Sequence, residues 1–249
     1  RLYQLGASGA SSGNLSYASW KCGLGYHLVK AWMNDGDDYN IDRVGHRRWI
    51  LNPPMEKTGF GWVYGSHGTY AAMYAFDNWY EPTDYYGVAW PAQNMPVEFF
   101  GSSYPWSISM GKEVDKSAVK VTLIRQSDQK KWAFSEKKAD GYFNVENSNY
   151  GQKGCIIFRP ENLSYQPGDT FEVKITGLDQ KVSYTVKFFS VNSSAESDEK
   201  QKESKITAKN ITKTFSTTTF SINAKTNGKG KMTYKVADEK IAAVRSLSL

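Results

Sequence analysis

At 249 residues, with 40% hydrophobic and 14% aromatic residues, the chain is long and apolar enough for one to three folded domains and is not a disordered polypeptide. The net charge of +6 is uneven, since residues 1–95 carry 7 basic and 8 acidic side chains while residues 196–249 carry 11 and 6. A nucleic-acid surface would therefore have only the tail to draw on; its KTNGKGK reads as a solvated loop, and no recognisable nucleic-acid module accompanies it.

No stretch reaches the ~18 apolar residues of a transmembrane segment. The chain starts at Arg1 without a methionine and stops in VRSLSL just after a strand-like run, so it reads as a fragment. Cys22 and Cys155 fall in different expected domains, so neither a CxxC metal site nor a disulfide framework is suggested.

From Tyr17 to Trp32 the large apolar residues Tyr17, Trp20, Leu24, Leu28 and Trp32 fall at steps of three and four, which predicts one amphipathic helix over 17–35. Gly23 and Gly25 weaken that helix by about 1 kcal/mol each, so packing must hold it. The polar DGDDYN loop follows, then a short turn through GHRRWIL stopped by Pro53 and Pro54.

Beyond Lys57, TGFGWVYG and TYAAMYAF joined by SHG predict a hairpin, onto which the apolar face of the helix should pack. Residues 78–95 show no period and read as ordered loop. Within them WYEPTDYYG, 79–87, is packed loop or a sugar-stacking aromatic surface. From 97 to 191 seven β-type runs, WSISM, AVKVTLI, KWAF, YFNVE, GCIIFRP, FEVKITGL and VSYTVKFF, recur at about ten-residue spacing and indicate a β-sandwich. SSAESDEKQKES, 193–204, has linker composition. The β alternation that resumes after it runs about forty residues, too few for a complete sandwich domain.

These stretches carry a resemblance. SSGNLSYA, a helix ending in AWMND, GHRRWILNPPMEKTGFGWVYG and a strand ending in YAFDN, in that order, resemble the second half of a bacterial CAP domain, the superfamily of cysteine-rich secretory proteins, antigen 5 and pathogenesis-related proteins. The resemblance covers residues 6 to 80. The segment opened by WPAQNMPVEFF looks like the β domain that accompanies such domains in some Gram-positive secreted proteins, and ITAKNITKTF with GKMTYKVAD resembles a truncated bacterial immunoglobulin-like module.

The fold this implies is α+β: a partial α-β-α sandwich over 1–95, an all-β sandwich over 96–192, the linker 193–204 and a partial immunoglobulin-like domain over 205–249. The family cleft gathers two histidines and two acidic residues. Carried over, the GHR histidine is His46, the acidic residue after the helix is Asp35, and Asn14 and Arg47 are further cleft candidates. The family's GEN-type glutamate falls on Gly13, and the first histidine would lie before Arg1.

His46 is then the one candidate ligand for a divalent metal such as zinc, and weak affinity is expected. The alternative is that His46 hydrogen-bonds its own backbone while Arg47 and Arg48 face solvent or a carboxylate. For His27 and His67 the readings are a half-buried helix residue and an exposed turn. The resemblance implies a secreted or cell-wall-associated binding protein for an extracellular lipid, glycan or protein. A hydrolase using His46 as base or metal ligand is the second reading, although no GxSxG, HExxH or Cys–His nucleophile pattern supports it.

Overall fold

The computed structural model describes residues 1–78, 86–192, 206–207 and 224–226. The chain divides into two compact units, Arg1–Val191 and Asn192–Leu249. In the second unit the described residues form β13 (Ile206–Thr207) paired antiparallel with β14 (Lys225–Thr226). The linker reading of 193–204, most of the immunoglobulin-like reading of 205–249 and nearly all of the tyrosine cluster at 79–87 lie outside the described residues. No described helix is long and apolar enough to cross a membrane.

The first unit opens with α1 (Leu2–Ala10) and then β1 (Gly13–Ala18), α2 (Leu24–Tyr26) running into a π-helical segment His27–Trp32, α3 (Gly45–Ile50), β2 (Gly59–Gly65) and β3 (Gly68–Tyr74). The hairpin β2–β3 forms as the sequence predicts. Its turn needs Gly68, whose φ of +132° places the Cα so that an added Cβ would sit 2.2 Å from the Ala18 carbonyl oxygen. The helix over 17–35 is corrected at its front end. Residues 13–18 form a strand against β3, giving a sheet of order β1-β3-β2, and Tyr17 and Trp20 are exposed. Strand pairing wins because GNLSYA alternates: Asn14 and Ala18 are buried and Ser16 half-buried on one face, while Leu15 and Tyr17 point away.

The rear of the stripe holds. Leu24, Leu28 and Trp32 pack with Ala71, Met73 and Ala75 of and beyond β3, and the Trp32 indole N–H donates to the Leu15 carbonyl at 3.0 Å. The π winding has a purpose in this packing. In an α-helix residues five apart point about 140° away from one another, whereas i→i+5 winding brings them closer to one face. His27 and Trp32 are five apart, and both are fully buried.

The π-helical segment with α2, and α3, cover one face of the sheet, while the other presents Leu15, Tyr17, Val63, Tyr70 and Tyr74 as exposed side chains. Among the described residues this gives two layers of the expected α-β-α arrangement.

Residues 86–191 build the sandwich. One sheet has the order β4 (Val88–Trp90), β6 (Trp106–Ser109), β10 (Cys155–Pro160), β9 (Gly141–Glu146). The other runs β5 (Asn94–Pro96), β12 (Val182–Phe189), β11 (Thr170–Thr176), β7 (Lys120–Arg125), β8 (Lys131–Phe134). All seven predicted runs are strands. The loop reading of 78–95 is corrected by β4 and β5, which pair with β6 and, in parallel, with β12, so strands of the sandwich begin before residue 96. They were invisible because three residues are too few to show a period.

Between the sheets lies the main core, with Trp106, Phe158, Phe171 and Phe188 at its centre. GCIIFRP is buried on both sides: Ile156 and Phe158 face that core, while Cys155 and Ile157 pack against Val44. The sheet containing β10 therefore has a second covered face, and what covers it is the segment that precedes GHRR.

Candidate functional site

The site is built where the π-helical segment ends. Asp35 adopts φ +46°, in the left-handed region that turns a chain out of a helix, and its N–H donates to Ala31 O at 3.2 Å. Asp tolerates this backbone better than most residues. The turn swings a carboxylate that is 1% exposed toward α3.

Helix α3 lacks a cap of its own, because its N-cap is Val44, which has no side-chain oxygen. Asp35 supplies one from twelve residues away in sequence: its Oδ2 accepts the Arg47 N–H at 2.9 Å. Its Oδ1 holds His46 Nδ1 at 2.8 Å. Asn14, 2% exposed on β1, donates its amide to the His46 carbonyl at 2.9 Å. Val44 itself sits at φ +44°, a costly conformation for a β-branched residue, held by its burial against Cys155 and Ile157.

His46, Asp35 and Asn14 come together here, with different tasks. His46 is the one that meets solvent, its side chain 32% exposed. Burial opposes its protonation and is the largest influence, but the hydrogen bond it donates to Asp35 and the charges of Asp35 and Asp37 outweigh burial and the nearby Arg43 cation, so the imidazole pKa is raised. Asp35 accepts from Nδ1, which orients the ring and leaves Nε2 without a hydrogen bond to any described residue. Asn14 fixes the backbone of α3 and does not face the cleft.

Arg47 is corrected. Its side chain is fully buried behind the cleft, where it donates to Met33 O (2.9 Å), Asn34 O (2.6 Å), Pro105 O (2.7 Å) and Ser107 Oγ (2.9 Å). It thereby satisfies carbonyls at the C-terminal end of the π-helical segment and ties them to the start of β6. Burial pulls its pKa down to about 10, partly offset by the Asp35 charge, so it stays cationic at neutral pH.

Arg48 is also buried. It donates to Ser148 O at 2.6 Å, to Gln152 O and to Arg43 O, with its guanidinium 5.2 Å from the Tyr150 ring centre. Neither arginine faces solvent. Nothing in GHRR signals this, since the acceptors that bury them lie 58 and about 100 residues along the chain.

A glutamate at the Gly13 position does not fit this backbone. A Cβ there would lie 1.9 Å from the Met73 carbonyl oxygen across the β1–β3 pairing.

Residues 6–80 match the CAP model, the cysteine-rich secretory protein family. That is under a third of the chain. Comparison with curated proteins and with solved structures gave no match.

The resemblance to CAP domains implies a metal near His46. Among the described residues no three His, Cys, Asp or Glu side chains converge. Of the cleft pair, Asp35 spends one oxygen on the Arg47 amide and the other on His46 Nδ1, which leaves Nε2 as the one open donor. Zinc sites use three or four protein ligands. The described residues around His46 do not fit zinc.

His67 lies in the exposed hairpin turn as read, its carbonyl accepting from Tyr17 OH at 2.6 Å. His27 differs from the reading: it is fully buried, and its ring lies between Ser16 and Cys22.

Proposed function

We propose that the chain is part of a secreted or cell-surface CAP-domain protein that binds an extracellular ligand through the cleft at His46. The observation that carries this reading is the division of labour in GHRR: one imidazole edge meets solvent while the other ring nitrogen and the Arg47 amide are both held by Asp35, and the Arg47 guanidinium is tied into the fold behind them. A raised imidazole pKa makes Nε2–H a cationic donor in mildly acidic surroundings, suited to a carboxylate, phosphate or carbonyl oxygen on a lipid, glycan or protein. The sandwich serves as the platform that positions the cleft, and the immunoglobulin-like tail serves to display it.

A hydrolase would use the same Asp35–His46 pair as a general base. The test is a binding panel of anionic lipid vesicles, acidic glycans and peptides, run with the full chain and with His46→Ala. Binding by one class, lost on substitution and without turnover, is the expected result. Hydrolysis of an ester, glycoside or peptide by the full chain but not by His46→Ala would replace this reading with the hydrolase.

A further inference from the structure

On the other side of β1 from the sheet's exposed face, three side chains from different elements meet. Cys22 Sγ lies 3.4 Å from His27 Nε2, and His27 Nδ1 lies 2.8 Å from Ser16 Oγ. The imidazole is fully buried, the thiol half-buried. The thiol is also held still. The Cys22 N–H donates to Thr69 Oγ1 at 3.2 Å, its carbonyl accepts from the Trp62 indole at 2.9 Å, and the Thr69 hydroxyl donates to Trp20 O at 2.7 Å. No Cys–His pattern is legible in the sequence, because the third member, Ser16, sits on β1 and meets His27 only in the folded chain.

We propose that Cys22, with His27 as its base and Ser16 as the positioning residue, is a thiol-exchange site for low-molecular-weight disulfides. The roles follow from the contacts. A thiol is a donor, so Sγ–H points to Nε2, and the Nδ1–H tautomer this requires is the one a Ser16 oxygen accepts. Burial pushes the His27 pKa down, which keeps the ring neutral and able to take a proton near pH 7.

The substrate class follows as well. Cys22 and Cys155 are both free, and Cys155 is fully buried against Val44 and Ile157, so Cys155 is not the sulfur that Cys22 meets, and the site takes its partner sulfur from a small disulfide. Acyl transfer would ask the Cys22 amide to stabilise an oxyanion, and that amide is already bound to Thr69. Exchange at sulfur asks only for a base and a returned proton.

In the step, Cys22 Sγ bonds to one sulfur of the incoming disulfide as its S–S bond breaks. The electron pair leaves with the departing sulfur. The proton passes from Sγ to His27 Nε2 and then to the released thiolate. One disulfide replaces another, so no outside oxidant or reductant is consumed.

The test uses the full chain at pH 7 with 2-hydroxyethyl disulfide, following adduct mass over time and mapping the modified cysteine. We expect one adduct, on Cys22, with Cys155 unmodified as internal control. His27→Gln should slow the reaction about tenfold or more, and the rate in D2O should fall about twofold, as for proton transfer to a positioned base. Ser16→Ala should slow it less and Ser16→Thr should restore it. A His27→Gln rate within about twofold of the original, no isotope effect in the original chain, or modification of Cys155 first would overturn the proposal. The isotope effect decides the matter even where a variant fails to fold.

Discussion

Replacing Asp35 by alanine removes three things at once, and each has a size. The cap on the Arg47 amide contributes about 1 kcal/mol. The charge-assisted bond to His46 contributes about 1.5 kcal/mol, the low end for such bonds because the imidazole is a third exposed. Alanine in the left-handed region adds about 1 kcal/mol that aspartate largely avoids. The expected loss is about 3.5 kcal/mol, or roughly 7–14 °C in Tm for a unit of this size.

The assay is thermal unfolding at pH 6, followed by near-ultraviolet circular dichroism, where protonated His46 makes the pair complete. Asp35→Asn keeps the backbone and one acceptor and should lose about half as much. Nuclear magnetic resonance of the His46 ring supplies an independent reading: its titration should move back toward the ordinary imidazole value in Asp35→Asn. A Tm for Asp35→Ala within about 2 °C of the original, or an unmoved His46 titration, would refute the reasoning.

Arg47→Met should cost about 3–5 kcal/mol and sharply lower the yield of folded chain, because Met33, Asn34 and Pro105 carbonyls lose their donor; soluble protein of unchanged Tm would contradict the burial. Gly13→Glu, which writes the family's residue into the chain, should destabilise by about 2 kcal/mol or more through the Met73 clash, measurable as a lower urea midpoint. The stability that His46 gains from its raised pKa is complete below the unfolded value near 6.5 and disappears as pH rises through the folded one. The Tm gap between the original and His46→Gln should accordingly close between mildly acidic and mildly alkaline pH, and a gap that widened would reverse the sign. In calorimetric titration at neutral pH, His46→Ala should alter the zinc signal little, and tight binding lost on that substitution would show a metal centre.

What the sequence made legible was periodic or local. The hairpin at 59–74 and the seven sandwich strands carry alternation over four or more residues, and each forms. Asp35 and His46 were readable through motif order, not through spacing, since a loop separates them. The front of the supposed helix failed because Tyr17 and Trp20 happen to continue a three-four spacing that the β1–β3 pairing overrides. The roles of Arg47, Arg48 and His27 were hidden for a common reason: each is set by acceptors or partners that only the folded chain brings near.

The double burial of β10 bears on how such a protein can be taken apart. A polypeptide cut after the GHRR helix, or one in which another sandwich were substituted, would leave a guanidinium without Pro105 and Ser107 and a valine at positive φ without Cys155 and Ile157. Recombination that moved the histidine-bearing segment by itself would therefore deliver a damaged piece, and the two halves would have to travel between genes as one inheritance.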